Sequence, residues 1–456
     1  MKQATDVTSA PAHVATSATN HCNVVVIGGG PAGSTISTLL SRRGWKVTLF
    51  EKDRHPRFHI GESLLPLNMP IFDRLGVRKE IERIGMFKPG AEFVYGDREP
   101  VQFYFRESVS PDYPFAYQVK RSELDEVLLR NSAGAGTRVL EDVRVNDVQF
   151  SADGAEVTAT DAQGTAQRWS ARFVVDASGR DTFFASKMNR KRRNRRHNSA
   201  AIFSHFEGAE FRSGEDAGLI TVYWFDHGWF WMIPFNDGGM SVGAVCWPYY
   251  MLSRTKSVDE FFMDTIALCP GVARRLANAR MTMPALATGN YSYEGGIVGG
   301  ERFLTVGDAF AFIDPVFSSG VFLAMNGAEM SVELVEKALK GNALTQADLR
   351  KQEKRLRHGI KVFSWFIYRI TTPVMRRMFL KPRTLFNMKA AVLSLLSADL
   401  YRGTPIRHSL FAFKVIYYVA SLINWRESWT SWRQRRRAWH SRLSFVWKTG
   451  KQSLSQ

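Results

Sequence analysis

The hydrophobic pattern near the N-terminus predicts a strand, a glycine-rich turn, a helix and a second strand. Residues 23–27, "NVVVI", contain four consecutive apolar residues after Asn23, a pattern that is typical of a short buried strand. After the turn, small and apolar positions suit a helix that ends at Gly44. The next run, "WKVTLFE" at residues 45–51, predicts another strand that stops at Glu51. This order of elements indicates an α/β unit.

The turn between these elements carries the glycine spacing of a dinucleotide site. "GGGPAG" fits GxGxxG at Gly28, Gly30 and Gly33. Glycine lets the backbone approach a pyrophosphate, the helix N-terminus supplies N–H donors, and the acid that ends the second strand accepts from ribose hydroxyls. We therefore predict that Gly28, Gly30, Ala32, Gly33 and Glu51 bind a dinucleotide. The alternative is a glycine-rich turn in some other α/β unit.

Two distant segments favour FAD over NAD. Residues 172–180, "RFVVDASGR", and 301–308, "ERFLTVGD", are apolar strands that run into acidic residues. The second segment resembles the one that closes the FAD site in aromatic-hydroxylase-like flavoproteins. That resemblance implies that Gly307 and Asp308 contact the ribityl or pyrophosphate region of FAD. It also implies that Arg121 lies near the flavin, with a surface arginine on a helix as the alternative.

Three further motifs carry a resemblance to the flavin-dependent halogenases, closest to bacterial members that act on phenols or pyrroles. They are "HIGESLLP" at residues 59–66, "FKPGAEF" at 87–93 and a WxWxIP pattern in "GWFWMIP" at 228–234. The resemblance implies an aromatic-hydroxylase-like α/β fold, in which a Rossmann-type FAD domain is interleaved with a substrate-binding sheet and followed by helices. It implies an enzyme of secondary metabolism that uses FADH2, O2 and chloride or bromide to make hypohalous acid and halogenate an electron-rich aromatic ring.

The resemblance assigns roles for which simpler alternatives exist. Lys88 would hold hypohalous acid, and burial would depress its pKa, whereas a lysine beside a proline is usually solvated. Ser319 and Gly320 would bind halide through backbone N–H groups. The alternative there is a plain helix cap by Ser318 or Ser319.

Aromatic residues carry two more expectations. Trp229, Trp231 and Pro234 would wall off the channel between flavin and substrate, with a buried aromatic strand as the alternative. Phe317 stands where tryptophan halogenases carry a glutamate that stabilises a cationic intermediate. Because a phenol or pyrrole stabilises that charge itself, we expect such a substrate, either free or on an acyl carrier protein.

Charge is concentrated at the C-terminus. Residues 351–456 hold 22 Lys and Arg against 3 Asp and Glu, within a chain of 456 residues and net charge +18. We expect a disordered leader at residues 1–22, an FAD-binding core with its interleaved sheet at 23–345, and a basic helical domain at 346–456. The basic segment could simply pack on the core, dock a carrier protein, contact an anionic membrane surface as a peripheral segment, or bind nucleic acid nonspecifically.

The remaining patterns narrow the function class. Only one GxGxxG unit is present, so we expect a separate flavin reductase or a transient visit by NAD(P)H. No His or Cys spacing indicates a metal site. Three scattered cysteines favour a reducing compartment. We therefore expect a cytoplasmic protein that could be peripheral at the inner membrane surface. Two alternatives to a halogenase are a related FAD monooxygenase or reductase and a noncatalytic flavoprotein that anchors a biosynthetic complex through its tail.

Overall fold

The computed structural model describes residues 20–440, except 97, 110–111, 195–198, 290–291 and 382–386. The strands among the described residues are, in chain order, β1 (Asn20–Ile27), β2 (Val47–Phe50), β3 (Met86–Lys88), β4 (Gly90–Tyr95), β5 (Val101–Tyr104), β6 (Ala116–Gln118), β7 (Arg138–Leu140), β8 (Val143–Phe150), β9 (Ala155–Asp161), β10 (Ala166–Asp176), β11 (Arg192–Arg193), β12 (Ala200–Glu207), β13 (Ile220–Phe225), β14 (Gly228–Pro234), β15 (Gly239–Cys246), β16 (Arg280–Met281), β17 (Leu286–Gly289), β18 (Tyr293–Glu294), β19 (Gly299–Gly300), β20 (Phe303–Thr305) and β21 (Ala311–Phe312).

The helices of the same residues are α1 (Pro31–Arg42), α2 (Met69–Leu75), α3 (Arg78–Ile84), α4 (Arg121–Gly134), α5 (Phe183–Lys187), α6 (Pro248–Leu252), α7 (Val258–Ala267), α8 (Pro270–Arg275), α9 (Ser319–Leu339), α10 (Gln346–Ile367), α11 (Pro373–Leu380), α12 (Met388–Leu396), α13 (Arg407–Ile423) and α14 (Trp425–His440). None of these described helices combines the length and the apolar character that crossing a bilayer requires.

The first large sheet holds the N-terminal glycine motif. Its central order is β20-β10-β1-β2-β7, all parallel. Val24 and Val26 of β1 enter one hydrophobic cluster, beneath α1 and α9, while Val25 and Ile27 enter the cluster on the opposite face. A strand that is buried on both faces explains the uninterrupted apolar run. The carboxyl ends of β1, β10 and β20 therefore meet at one edge, where ligands bind in such sheets.

Strand β1 begins earlier than the sequence pattern predicted. The predicted start was residue 23, but Asn20, His21 and Cys22 already pair in parallel with Trp169–Ala171 of β10. Backbone pairing with a long neighbouring strand extends β1 through polar residues that carry no apolar signal. Residues 20–22 are thus part of the sheet and not of the expected leader, whose remaining residues, 1–19, lie outside the described residues.

The second large sheet carries the WxWxIP motif on its central strand β14. The order is β16-β12-β15-β14-β13-β4-β5, and β13 pairs in parallel with β4. Trp229, Trp231 and Ile233 enter one hydrophobic cluster, whereas Phe230 and Met232 enter the cluster on the other side. Strand alternation thus gathers the signature side chains on one face of the sheet.

Helices from the C-terminal half cover the face of the sheet that bears these tryptophans. Helices α10, α11, α12 and α13 contribute buried residues to the same cluster as Trp229 and Trp231. The link is aromatic: Phe379 of α11 contacts Phe93 of β4 at a ring-centroid distance of 5.0 Å. Helix α10 begins at Gln346, where the hydroxyl of Thr345 accepts from the backbone N–H of Asp348 at 3.2 Å.

Candidate functional site

The glycine motif forms a tight turn between β1 and α1. Gly28 has φ = +103°, and a Cβ at this position would lie 2.5 Å from the carbonyl oxygen of Ala177, just beyond β10. A Cβ on Gly33 would lie only 1.9 Å from the carbonyl oxygen of Gly28. Because neither position has room for a side chain, the turn and the helix start can press together as a dinucleotide site requires.

The open side of this turn suits an anion. A Cβ on Gly30 would meet only the Arg57 side chain, with Nη2 at 3.8 Å, so the backbone there faces free space. Helix α1 has no side-chain N-cap bond and no acidic residue in its first turn, which leaves its N–H donors available. Glu51 borders the turn, and its Oε2 accepts from the backbone N–H of Gly29 at 2.7 Å. These features fit the pyrophosphate and ribose of FAD.

The predicted FAD residues of the two distant segments lie together. Gly307 has φ = +60°, and a Cβ there would lie 2.9 Å from the Cβ of Ala32 in α1. Asp308 follows, half-buried, and burial raises its pKa to about 6, opposed by the charges of Arg121 and Arg180. The glycine motif and the Gly307–Asp308 turn therefore border one site at the carboxyl edge of the sheet.

Arg121 is buried at the start of α4, so the surface alternative is wrong. Its Nε and Nη2 donate to the two carboxylate oxygens of Asp125 at 2.8 and 2.9 Å. Its Nη1 donates to the carbonyl oxygen of Ile60 at 2.9 Å, in the "HIGESLLP" segment. A bidentate pair of this kind holds the guanidinium in a fixed orientation. Arg121 thereby anchors the "HIGESLLP" loop to the start of α4.

Lys88 ends strand β3 with its side chain fully inside the protein, 1% exposed, so the solvated alternative is also wrong. Its Nζ donates to Ser63 Oγ at 2.9 Å and to the carbonyl oxygen of Leu64 at 2.7 Å. The Phe105 ring lies 5.3 Å from Nζ. Among the described residues, no carboxylate lies in ion-pair range of Nζ.

Burial lowers the pKa of Lys88 to about 7. A buried ammonium is costly when no opposite charge compensates for lost hydration, so the neutral amine is favoured far more than in water. Both protonation states are accordingly populated near neutral pH. Such a lysine can donate hydrogen bonds or act as a nucleophile.

The signature tryptophans lie side by side on β14. The ring centroids of Trp229 and Trp231 are 6.0 Å apart, and Trp231 Nε1 donates to Ser241 Oγ at 3.1 Å. Pro234 ends the strand and is buried. Both tryptophans share their hydrophobic cluster with Phe317. The structure therefore buries both tryptophans in a hydrophobic cluster, as both the wall interpretation and the buried-strand alternative require.

The "FSSG" segment makes a strained turn into α9. Ser318 has φ = +56° and stands at the N-cap, but its side chain makes no cap hydrogen bond. The hydroxyl of the buried Ser319 finds no partner within the described part of the chain. Ser318 is therefore the N-cap residue, as one interpretation predicted, but neither serine hydroxyl caps the helix among the described residues. Uncapped N–H groups of a 21-residue helix, with an unpaired hydroxyl beside them, suit a small anion.

A small cavity joins this turn to the predicted flavin site. Its volume is about 20 Å³, enough for one water, and its lining includes Asp308 and Gly320. Leu356, Ile360 and Tyr401 close it from the C-terminal half. Gly320 of the predicted halide residues and Gly307 and Asp308 of the predicted FAD residues therefore border a common space.

Two features of this region were missed by sequence reasoning. Glu62 of the "GES" motif is buried, with Oε1 2.9 Å from His205 Nε2 and with Oε2 unpaired among the described residues. A glutamate inside an apolar motif was the available signal. The second feature is Phe379, which stacks on Phe317 at 6.4 Å. No local pattern pointed from α11 to that position.

Comparisons with known proteins identify the family to which the chain is related. The family model described as "FAD binding domain" matches residues 21–365. The chain is 30% identical over 409 residues to the 1H-pyrrole-2-carbonyl-[peptidyl-carrier protein] chlorinase of Pseudomonas fluorescens, covering 84% of this chain and 90% of that protein.

Solved structures give the same result for the fold. The myxobacterial chondrochloren halogenase superposes with a TM-score of 0.73 at 31% identity, covering 85% of this chain and 92% of the other. A flavoprotein/dehydrogenase from Cytophaga hutchinsonii superposes with a TM-score of 0.81 at 27% identity, over 88% of this chain and all (100%) of the other. The aromatic-hydroxylase-like α/β fold with C-terminal helices, predicted from sequence, is confirmed. The chain therefore belongs to the flavin-dependent halogenases, enzymes whose cofactor is FAD and whose co-substrates are halide and O2.

Proposed function

We propose that this enzyme halogenates a phenolic or pyrrolic ring, using reduced FAD from a separate reductase and delivering the halogen through Lys88. The observation that carries the proposal is the complete burial of a lysine against the "GES" loop, with no carboxylate in ion-pair range among the described residues and with a pKa of about 7. Burying a lysine without a counter-charge is costly, and such residues are concentrated at functional sites.

FAD fits the site at the carboxyl edge of the first sheet. When bound in its reduced form, it supplies the electrons for the overall conversion FADH2 + O2 + X⁻ + H⁺ → FAD + HOX + H2O, where X is chlorine or bromine. The residues that would hold it share one border of the sheet: Gly28, Gly30, Ala32, Gly33, Glu51, Arg121, Gly307 and Asp308.

The start of α9 would bind the halide before it is oxidised. Backbone N–H groups at Ser319 and Gly320 carry the positive end of the helix dipole, and the unpaired Ser319 hydroxyl adds a donor. Gly320 leaves space next to these donors, because a Cβ there would meet only the Phe312 ring, at 3.6 Å.

Removing the Ser319 hydroxyl tests this halide site. We expect Ser319→Ala to raise the KM for halide about tenfold, since a hydrogen bond to an anion contributes about 1.5–3 kcal/mol. The dissociation constant of FAD should not change. Ser37→Ala is a matched control, because the Ser37 hydroxyl in α1 is also buried and unpaired among the described residues. An equal KM increase in both variants would contradict the proposed halide contact.

Lys88 would hold hypohalous acid and present it to the ring. Ser63 Oγ and the Leu64 carbonyl fix the position of Nζ. The ammonium can hold the acid by a hydrogen bond, and the neutral amine can carry the halogen as a haloamine. Either form keeps a strong oxidant away from Met, Cys and Trp side chains and directs it to one carbon of the substrate.

Trp229, Trp231 and Pro234 would separate the place where O2 is consumed from the aromatic ring. Their rings and side chains are buried in the layer that also contains Phe317. A layer of buried apolar side chains would let a small neutral oxidant pass more readily than the larger substrate. Halogenation rather than oxygen transfer would follow from that separation.

The environment of Phe317 supports an electron-rich ring. Phe317 packs against Phe366 and Phe379, both at 6.4 Å between ring centroids, so its surroundings are aromatic. Nothing at position 317 itself can stabilise a cationic intermediate by charge, hence the ring must do so. A pyrrole attached to a carrier protein is one candidate, because the related Pseudomonas chlorinase is named for such a substrate. The basic segment at residues 351–456 would suit an acidic carrier.

A product assay decides between halogenation and hydroxylation. With a flavin reductase, NADH, FAD and bromide, we expect a phenol or a carrier-bound pyrrole to gain one bromine, seen as a paired isotope pattern by mass spectrometry. Free and carrier-bound pyrrole-2-carboxylate should be compared in parallel. A hydroxylated product that forms equally well without halide would contradict the proposal and favour the monooxygenase alternative.

A further inference from the structure

Helix α13 is apolar on two opposite faces. Its inner face packs on the C-terminal helices, with Phe413 at 5.4 Å from the Phe366 ring and Tyr417 at 5.4 Å from the Trp365 ring. Its outer face is exposed within the described structure, and it carries large apolar side chains at helical spacing: Phe411, Val415, Val419, Leu422 and Ile423. Leu422 and Ile423 are 75% and 76% exposed. A helix that is apolar all round normally has an apolar neighbour on every side.

Helix α14 continues this surface with tryptophan and arginine. Trp425 and Trp429 are exposed, 60% and 48% respectively. Arg426 lies over the Trp425 ring at 5.6 Å, and Arg433 lies over the Trp429 ring at 5.4 Å. Tryptophan and arginine together are suited to the boundary between an apolar phase and water, because each has an apolar body and a polar end.

The positive charge of this surface disfavours its contact with the same surface of a second copy of the chain. Residues 407–440 contain seven Lys and Arg and one acidic residue, Glu427. Glu427 already pairs with Arg377 of α11 at 2.6 Å. A second copy of the chain would bring two strongly positive surfaces together, whereas an anionic partner would be attracted.

We propose that the outer faces of α13 and α14 dock on an anionic lipid surface. An exposed helical stripe of Phe, Val, Leu and Ile, flanked by tryptophans and arginines, is the pattern of helices that lie in the membrane interface. The stripe is the outside of a helix and therefore convex, which suits insertion among lipids better than it suits seating a folded carrier protein. Anionic headgroups would meet the arginines, and the aliphatic side chains would enter the acyl region.

Docking in this orientation leaves the proposed catalytic site unobstructed. Leu422, Ile423 and Trp425 belong to none of the FAD, halide or lysine contacts described above. Helix α13 lies behind α11, whose Phe379 faces Phe317. The membrane surface would thus be on the far side of the C-terminal helices from Lys88.

Co-sedimentation of the full-length protein with vesicles tests the proposal. We expect binding to vesicles of equal parts phosphatidylcholine and phosphatidylglycerol, weak binding to phosphatidylcholine alone, and weakening by salt. The variant Phe411→Ser/Leu422→Ser/Ile423→Ser should bind at least about tenfold more weakly, because three large apolar side chains no longer enter the lipid. Arg433→Gln/Arg436→Gln should lose about tenfold in binding to anionic vesicles only.

Matched controls come from exposed residues elsewhere on the surface. Met263→Ser/Leu268→Ser removes side chains that are 44% and 52% exposed near the second sheet, and it should bind like the parent. Arg168→Gln/Arg280→Gln removes two exposed positive charges elsewhere on the surface, and it should also bind like the parent. Thermal unfolding should be unchanged in all of these variants.

Three results would overturn the proposal. The first is a parent protein that does not bind anionic vesicles. The second is loss of acidic carrier-protein binding in the apolar variant without any effect on vesicles. The third is a stable dimer in light scattering that the same variant dissociates, which would assign the face to a second copy.

Discussion

The Lys88→Met variant is expected to lose halogenating activity by about a thousandfold or more, the scale of a positioned catalytic group, while its stability at pH 7 changes little. Burial lowers the pKa of the lysine from 10.5 to about 7. That shift corresponds to about 4 kcal/mol of destabilisation at pH 7. Methionine has a similar volume and no charge, but it leaves Ser63 Oγ and the Leu64 carbonyl without their donor, at a cost of about 1–3 kcal/mol for each. Relief of the burial cost and loss of the two hydrogen bonds therefore offset each other, and we expect the free energy of unfolding at pH 7 to stay within about 2 kcal/mol of the parent.

The stability of Lys88→Met relative to the parent should depend on pH in a defined direction. Below a pH of about 7 the lysine is charged in both the folded and the unfolded chain, so its full burial cost is present in the parent. As the pH rises from about 7 to 10.5, the folded chain binds fewer protons than the unfolded chain, and the cost of Lys88 declines. Denaturant unfolding should therefore show the variant to be more stable, relative to the parent, at pH 6.5 than at pH 9.5.

Separate measurements keep the two effects of Lys88→Met apart. Halogenated product should be lost, whereas FAD binding, followed by flavin fluorescence, should be retained. Lys46→Met, which changes an exposed lysine, should alter neither activity nor stability. Normal product yield from Lys88→Met would contradict the role of the lysine. A difference in stability between variant and parent that is the same at pH 6.5 and pH 9.5 would instead contradict the burial cost.

The Gly30→Val variant is expected to bind FAD at least about a hundredfold more weakly, equivalent to about 2.7 kcal/mol or more. The backbone of Gly30 has φ = −72°, which valine adopts readily, and a Cβ there meets only the Arg57 side chain at 3.8 Å. The protein itself should therefore fold normally. The added side chain would fill the space over the start of α1 in which the pyrophosphate is expected, and halogenation should fall with cofactor occupancy.

Gly134→Val provides the matched control for the cofactor prediction. Gly134 lies in the last turn of α4, and a Cβ there would meet nothing within 4 Å. Titration of FAD against both variants, followed by flavin fluorescence, compares the same added side chain at two open positions. Equal affinities for FAD in Gly30→Val and in the parent would exclude Gly30 from the cofactor site.

Local sequence patterns were sufficient to predict the secondary-structure elements that carry the site. The buried run before Gly28, the glycine spacing and the alternation along β14 each depend on neighbours in sequence, so the sequence predicts them. The start of β1 at Asn20 could not be predicted in this way, because pairing with β10, some 150 residues away, extends the strand. Fold class followed from the same local signals together with the family resemblance.

Contacts between distant segments could not be derived from the sequence. The approach of Gly307 to Ala32 joins positions 275 residues apart, and the partners of Lys88, a hydroxyl and a carbonyl, come from a separate loop. The two apolar faces of α13 illustrate the same limit, because only the packed structure distinguishes the buried face from the exposed one. The basic charge of residues 351–456, in contrast, was evident from composition alone.

The stacking of Phe379 on Phe317 has a consequence for altering the enzyme. The packing beside Phe317 depends on α11, an eight-residue helix far in sequence from the glycine turn. Smaller residues at Phe379 would open space beside Phe317 without changing the glycine turn, Asp308 or the halide turn. Under the proposed function, in which Phe317 lies next to the acceptor ring, substitutions in this one helix would vary acceptor size independently of cofactor affinity.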